Sequence, residues 1–164
     1  MRQLARREPG DSAALLAAVE RWLEIHPAVR TIAVFAALPD EPDLADIVKR
    51  NPDRRWIYPK IDGDFLRFQA VQNPARDLAH GAFGIREPLP TMPGVPVAQI
   101  DAFLCPGLAF DSRGGRLGRG RGFYDRMLAQ ARPDALKFGL CFPRQIVPDT
   151  FCEAHDIRMD GLIF

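Results

Sequence analysis

The sequence predicts an α/β fold, a single three-layer domain around a mostly parallel, Rossmann-like sheet. Three observations lead there. An amphipathic helical stretch runs into a short, wholly apolar segment at 31–37, the order of a helix followed by a strand buried on both faces. Comparable apolar segments return as AFLCPG (102–107), KFGLCF (137–142) and GLIF (161–164), with longer connections between them. A chain of 164 residues that is 47% apolar is about one domain long and can build a real core, which argues against disorder, a disulfide-stapled miniprotein or a two-domain enzyme.

In the first helix, Leu15, Leu16, Val19, Trp22 and Leu23 recur at helical spacing and leave Glu20, Arg21 and Glu24 outside, with Ser12 placed as N-cap. TIAVFAA (31–37) is β-branched and aromatic, as a buried strand requires. Pro42 then suits a first helical position, with Leu44, Ile47 and Val48 as the apolar face. RWIYP and the alternating FLRFQAV (65–71) read as two strands, the second open to antiparallel pairing. From about 73 to 97 the density of Pro and Gly forbids a helix or a central strand and predicts a long surface connection. A helix near 123–132 precedes the last two strands. Trp22, Trp56 and Tyr58 are read as packing residues, and His155 beside Asp156 as a turn before the last strand.

A net charge of +1 supplies no field that would draw in nucleic acid or a membrane surface. Only Lys49, Lys60 and Lys137 among the 22 basic residues are lysines, so phosphate contacts fall to the planar guanidinium fork. Cys105, Cys141 and Cys152 show neither a disulfide framework nor zinc spacing, and no run of about 18 apolar residues occurs. A soluble, cytoplasmic protein is the expectation.

Chemistry concentrates in CPGLAFDSRGGRLGRGRGFYDRML (105–128). The segment follows a strand, carries five glycines between 114 and 122 and five arginines, and ends in a helix. Glycines let backbone N–H groups approach an anion, a helix start adds positive potential, and guanidinium forks grip phosphate oxygens. The pattern suits a polyphosphate, yet it is neither a Walker A loop nor a dinucleotide fingerprint. A Gly/Arg run also suits a flexible exposed loop or an RNA-touching segment. Against that stand Asp111 and Asp125, which bracket the run, and the strand and helix that hold its ends. At a helix start, Asp125 fits a cap and a magnesium ligand equally.

PGLAFDSRGGRLGRGRGFYDRML resembles the signature of the 5-formyltetrahydrofolate cyclo-ligase (methenyltetrahydrofolate synthetase) family, whose usual form is close to PGLAFD followed by RLGxGxGxYDR. VFAALPDEPDL, FGIREP and HDIRMDGLIF are similar to further elements of that family, so the resemblance runs from about residue 30 to the C-terminus. It implies an enzyme that uses ATP and Mg2+ to convert 5-formyltetrahydrofolate to 5,10-methenyltetrahydrofolate, acting as a monomer on folate and ATP without nucleic acid or membrane partners. A non-catalytic folate- or nucleotide-binding homologue is the alternative.

Carried over by position, the resemblance implies a nucleotide loop of Arg116, Leu117, Gly118, Arg119, Gly120, Arg121, Gly122, Phe123 and Tyr124. Arg116, Arg119 and Arg121 would be phosphate ligands, with Arg119 and Arg121 catalytic. Asp125 and Asp160 match metal-binding positions. Glu41 matches the carboxylate that accepts from the pterin, and Phe83 an aromatic position beside it, where simple packing is an equal reading. Arg119, Gly120, Gly122 and Phe123 also face the folate, and Phe123 stands where a tyrosine is usual. The family's N-terminal basic helix, with Lys and Arg four residues apart, is expected to be shortened across the single domain 1–164. Arg2, Arg6 and Arg7 are the cations nearest those positions.

Overall fold

Helix α1 (Asp11–Ile25) forms because Leu15, Val19, Trp22 and Leu23 make one apolar stripe, and all four are buried against the sheet. The structure is a computed structural model that describes residues 11–164; Arg2, Arg6 and Arg7 lie outside the described residues. Ser12 is inside the helix and not its cap. Asp11 already lies in the first turn, where its charge suits the helix dipole, and its carboxylate accepts from Arg144 Nη1 at 2.6 Å.

Strand β1 (Thr31–Ala33) is shorter than the apolar run that predicts it, although Val34 N continues the ladder by donating to Ile57 O. Helix α2 (Ala45–Arg50) starts three residues beyond Pro42, because Asp43 Oδ1 takes the Ala45 N–H at 3.0 Å and Leu44 is the N-cap. Its apolar face is the expected one. Strands β2 (Arg55–Asp62) and β3 (Phe65–Ala70) form an antiparallel hairpin.

The Pro/Gly-rich stretch is more ordered than its composition suggests. Helix α3 (Pro74–Asp77), capped by the Asn73 side chain, leads into a separate two-stranded sheet of β4 (Leu78–His80) and β5 (Arg86–Pro88). These strands are three residues long and stay out of the main sheet, which is how prolines are tolerated there. After β6 (Ala102–Cys105) the glycine-rich segment folds into a second small ribbon, β7 (Ala109–Phe110) with β8 (Arg116–Leu117). Helix α4 (Phe123–Leu128) is four residues shorter than expected and unwinds into turns, before β9 (Leu136–Leu140) and β10 (Gly161–Ile163).

The six-stranded sheet has the order β10-β9-β6-β1-β2-β3, parallel throughout except for the β2–β3 pair. On one face Ile32, Val34, Trp56, Tyr58 and Leu104 pack under α1 and α2. On the other, Ala33, Ile57, Phe103 and Cys105 pack under Met127 and Leu128 of α4. The sheet is therefore the middle of three layers. The chain leaves β1 toward β2 and returns on its other side at β6, so connections diverge above the carboxyl ends of β1 and β6. Open α/β sheets bind ligands at such a reversal. No helix among the described residues is long and apolar enough to cross a membrane.

Gly139 on β9 lies under the Phe110 ring, and a Cβ there would collide with that ring and with Leu162. Gly139→Ala is expected to destabilise the fold by about 1–3 kcal/mol through overpacking, read as a lower urea midpoint at unchanged m-value.

Candidate active site

A cleft of about 700 Å³ opens at that reversal. Its walls come from the β1–α2 loop (Phe35 to Glu41), the β4–β5 hairpin, the loop from β8 to α4, and the segment after β9.

The β1–α2 loop turns on Glu41, which is only 7% exposed. Its backbone N–H donates to Leu38 O at 2.9 Å and its Oε2 accepts from Leu38 N at 2.9 Å. Burial pushes the Glu41 carboxyl above its ordinary value; the Leu38 N–H and the Arg119 guanidinium offset only part of that shift. Arg119 reaches across the cleft, with Nη2 at 2.8 and 2.9 Å from the Asp40 carboxylate oxygens and 3.4 Å from Glu41 Oε1. Two carboxylates thus hold one guanidinium over the mouth.

The loop that carries Arg119 is fastened by Asp111, only 1% exposed. Asp111 Oδ1 accepts from Arg113 N and Gly115 N at 2.9 and 3.0 Å; Oδ2 accepts from Thr150 N at 3.0 Å and Thr150 Oγ1 at 2.6 Å. Burial opposes the charge, but these four donors outweigh it and hold the carboxyl well below the usual carboxylate range. Gly115 is obligatory because a Cβ would occupy the space of Thr150 Oγ1 and Asp111 Oδ2. At the far end Arg126 donates to Asp64 O at 2.8 and 3.1 Å and to Arg121 O at 2.9 Å, which ties the loop to the β2–β3 hairpin.

Three of the loop's guanidinium groups are placed differently from one another. Arg119 spans the cleft. Arg121 lies flat on the Phe83 ring, 3.8 Å from its centroid. Arg116 is enclosed, its side chain 5% exposed, donating to Pro106 O and to Asp125 Oδ2, both at 3.3 Å. Asp125 Oδ1 also accepts from Ile157 N at 3.2 Å. Arg116 and Asp125, expected to face phosphate and metal, are thus paired with each other. Tyr124 lies beside Arg116, and burial pushes its hydroxyl well above the ordinary value.

Phe83 sits in the turn between β4 and β5 with a left-handed backbone (φ 57°) and 58% of its surface exposed. Strain of that kind on a bulky residue is retained where a ring must be displayed. The hairpin that displays it is docked by Glu87, a buried carboxylate whose Oε1 accepts from Ile61 N at 3.0 Å.

Comparison with known proteins decides the family. The model of the 5-formyltetrahydrofolate cyclo-ligase family matches residues 7–164. The chain belongs to this family. A 5-formyltetrahydrofolate cyclo-ligase from Mycolicibacterium smegmatis is 39% identical over 87 residues, 52% of this chain and 45% of the relative. The match therefore spans less than half of that relative's length. The structure of an Aquifex aeolicus 5,10-methenyltetrahydrofolate synthetase superposes with a TM-score of 0.80 at 30% identity, covering 93% of this chain and 77% of that one. A Mycoplasma pneumoniae 5,10-methenyltetrahydrofolate synthetase gives 0.74 at 25% identity, covering 93% and 83%. These neighbours share the mostly parallel α/β architecture expected from the sequence.

Of the residues singled out by the cyclo-ligase resemblance, Glu41, Phe83, Asp125 and the whole stretch Arg116 to Tyr124 line the one cleft. Asp160 is not brought there. It is exposed, and its Oδ2 accepts from Lys137 N at 2.7 Å, which fixes the lateral start of β10 against β9. Among the described residues no group of three or more His, Cys, Asp or Glu is placed to hold a metal ion. Cys105 is buried and its thiol is pushed up to about 12 by burial, so it is no nucleophile. His155 is exposed in a turn, 3.5 Å from both Glu153 and Asp156 carboxylates. Trp22, Trp56 and Tyr58 are core residues, as expected. Missed were Asp40, Glu87, the Asp111–Thr150 fastening and Phe151. Asp40 adjoins Glu41 in PDEPD, Glu87 lies in FGIREP and Asp111 brackets the Gly/Arg run, but their partners are long-range and left no trace in the sequence.

Asp111→Asn is expected to lower stability at neutral pH by about 3 kcal/mol, because buried donors lose a charged acceptor. The native pKa lies below the unfolded one, so the wild-type advantage is fully present above about pH 4 and fades as pH falls through the native value. Urea unfolding of both proteins at pH 7 and pH 3.5 shows whether their difference narrows as this requires.

Proposed function

We propose that the chain catalyses the ATP-dependent closure of 5-formyltetrahydrofolate to 5,10-methenyltetrahydrofolate, releasing ADP and phosphate. The carrying observation is the opposition, across one cleft at the sheet's reversal, of the buried Glu41 carboxylate and the Gly/Arg loop. One wall suits a planar heterocycle bearing N–H donors, and the other suits a polyphosphate.

A formamide carbonyl is a poor electrophile. Its oxygen takes the γ-phosphoryl group of ATP, which turns that oxygen into part of a good leaving group. The N10 lone pair then attacks the formyl carbon, N10 gives up its proton, and the C–O bond breaks with phosphate carrying away the former formyl oxygen. The protein's task is to align the reactants and neutralise phosphate charge. In this reading Glu41 accepts from the pterin amino and ring N–H groups, and Phe83 flanks the pterin. Arg119 and Arg121 meet the phosphates together with amides of Gly118, Gly120 and Gly122. Arg116, Leu117, Phe123 and Tyr124 complete the nucleotide wall. Arg119 leaves Glu41 as the pterin arrives and turns to the transferring phosphoryl group.

In this reading Asp125, the carboxylate beside the loop, would give up Arg116 to hold Mg2+ brought with the nucleotide, whose phosphate and water oxygens ordinarily fill most of its positions. The ion supplies charge neutralisation at the β- and γ-phosphates. The three thiols, unpaired in the structure, suit a reducing cytoplasmic setting, and one α/β domain acting as a monomer suffices for both substrates.

The test is the absorbance of 5,10-methenyltetrahydrofolate after mixing protein with 5-formyltetrahydrofolate, with and without ATP and Mg2+. Growth of the band only with both supports the reading; no growth while folate and ATP still bind leaves a binding homologue. Arg119→Ala is expected to lower the rate about 100-fold or more. Burial raises the Glu41 pKa, so folate affinity should fall on acidification through a value above the ordinary carboxylate range. Glu41→Gln should flatten that acid limb while weakening binding at pH 7.

A further inference from the structure

Among the described residues only two non-glycine residues adopt a left-handed backbone, Phe83 (φ 57°) and Phe151 (φ 55°). Both are phenylalanines, both are exposed, and both line the same cleft. Phe83 has a partner in Arg121 and a role in the reading above. Phe151 has neither, although it is 84% exposed, the most exposed large apolar side chain described. Strained backbone at a bulky residue clusters at active sites and ligand clamps, and here it coincides with an exposed ring lining the cleft.

The ring is presented from a fixed base. Thr150, directly before it, gives both its N–H and its hydroxyl to the buried Asp111 carboxylate. Phe151 N donates to Asp149 Oδ1 at 2.8 Å, and Asp149 is held by Arg113 Nη2 at 2.7 Å. Asp111 and Arg113 belong to the head of the Gly/Arg loop, so the loop and the ring share one anchor. The segment therefore cannot fold Phe151 away without losing the fastening of the loop.

We propose that Phe151 is the stacking platform for the purine base of the nucleotide. The inference rests on the ATP-dependent reading above and adds a base subsite to it. Two flat rings could meet an exposed phenylalanine here, the base or the aminobenzoyl ring of the folate, and the surroundings select the base. Phe83 and Glu41 hold the pterin end on the β1–β2 side, whereas Phe151 follows β9, beyond the central strand β6. Next to Phe151 the cleft is lined by Glu153 and Asp156. Their carboxylates repel the anionic glutamate tail of a folate, but accept from the exocyclic amine of a neutral adenine.

Calorimetry with ADP, inorganic tripolyphosphate and 5-formyltetrahydrofolate separates the possibilities. Phe151→Ala should weaken ADP about tenfold and leave tripolyphosphate and folate within twofold of wild type. Phe151→Trp should retain ADP affinity and show fluorescence quenching by ADP but not by tripolyphosphate, since Trp22 and Trp56 are buried. Phe151→Gly, in which the residue adopts the left-handed φ without cost, should melt no lower than wild type while losing the same tenfold, which separates binding from folding. Unchanged ADP affinity in Phe151→Ala overturns the proposal, as does a loss confined to folate. Failure of the wild-type protein to bind either ADP or tripolyphosphate overturns the ATP-dependent reading itself.

Discussion

The four hydrogen bonds received by the buried Asp111 carboxylate hold together two chain segments, the head of the Gly/Arg loop and the segment after β9, that wall the cleft. A glycine-rich loop is entropically expensive to order, and polar backbone groups near a sheet end need partners. One ionised carboxylate meets both demands: it takes the N–H groups of Arg113 and Gly115 on one side and the Thr150 donors on the other. Gln145 adds to this by donating to Gly107 O and accepting from Phe142 N. The arginines downstream therefore project from a fixed frame, and their differing orientations are properties of that frame.

The sheet supplies the other constraint. Because β1 has β2 on one side and β6 on the other, the loops after these strands diverge and leave a crevice between them. Glu41 enters it from the loop after β1, and Arg116 to Asp125 from the segment after β6. The antiparallel β3 extends the sheet past β2 and carries, through Glu87 and Ile61, the hairpin that displays Phe83. Fold and site are thus joined at a few carboxylates that are buried or nearly so: Glu41, Glu87 and Asp111.

Much of this was legible in the residues, and the exceptions have physical causes. Strands buried on both faces announce themselves as apolar runs, so β1, β6, β9 and β10 could be placed, and the alternation of FLRFQAV marked a strand open to antiparallel pairing. The Gly/Arg loop was legible as part of a site because its residues are contiguous, and they do line the cleft. The β4–β5 ribbon was not, since three-residue strands containing proline look like any loop. Asp43 displacing Pro42 from the helix start is a contest between two adequate initiators that only packing decides. Asp160 was expected near Asp125 only because the family resemblance matched it to a metal-binding position; in the structure its carboxylate accepts from Lys137 N where β9 and β10 begin. Arg116 and Asp125 were each legible as site residues, but their attachment to one another is long-range and leaves no pattern in the sequence.

That mutual attachment makes ligand capture an exchange. Arg119 is held by Asp40 and Glu41, and Arg116 by Asp125, whereas Arg121 rests on Phe83 with no carboxylate partner among the described residues. An anion that draws Arg119 or Arg116 to itself strands their carboxylates, a cost in a partly dehydrated space. On the proposed reading a pterin would bring N–H donors to Glu41, and a magnesium polyphosphate would bring a cation to Asp125 and anionic oxygens to the freed guanidinium groups. On that reading each ligand that arrives takes the place of one internal partner, and the group it leaves behind is met by the next.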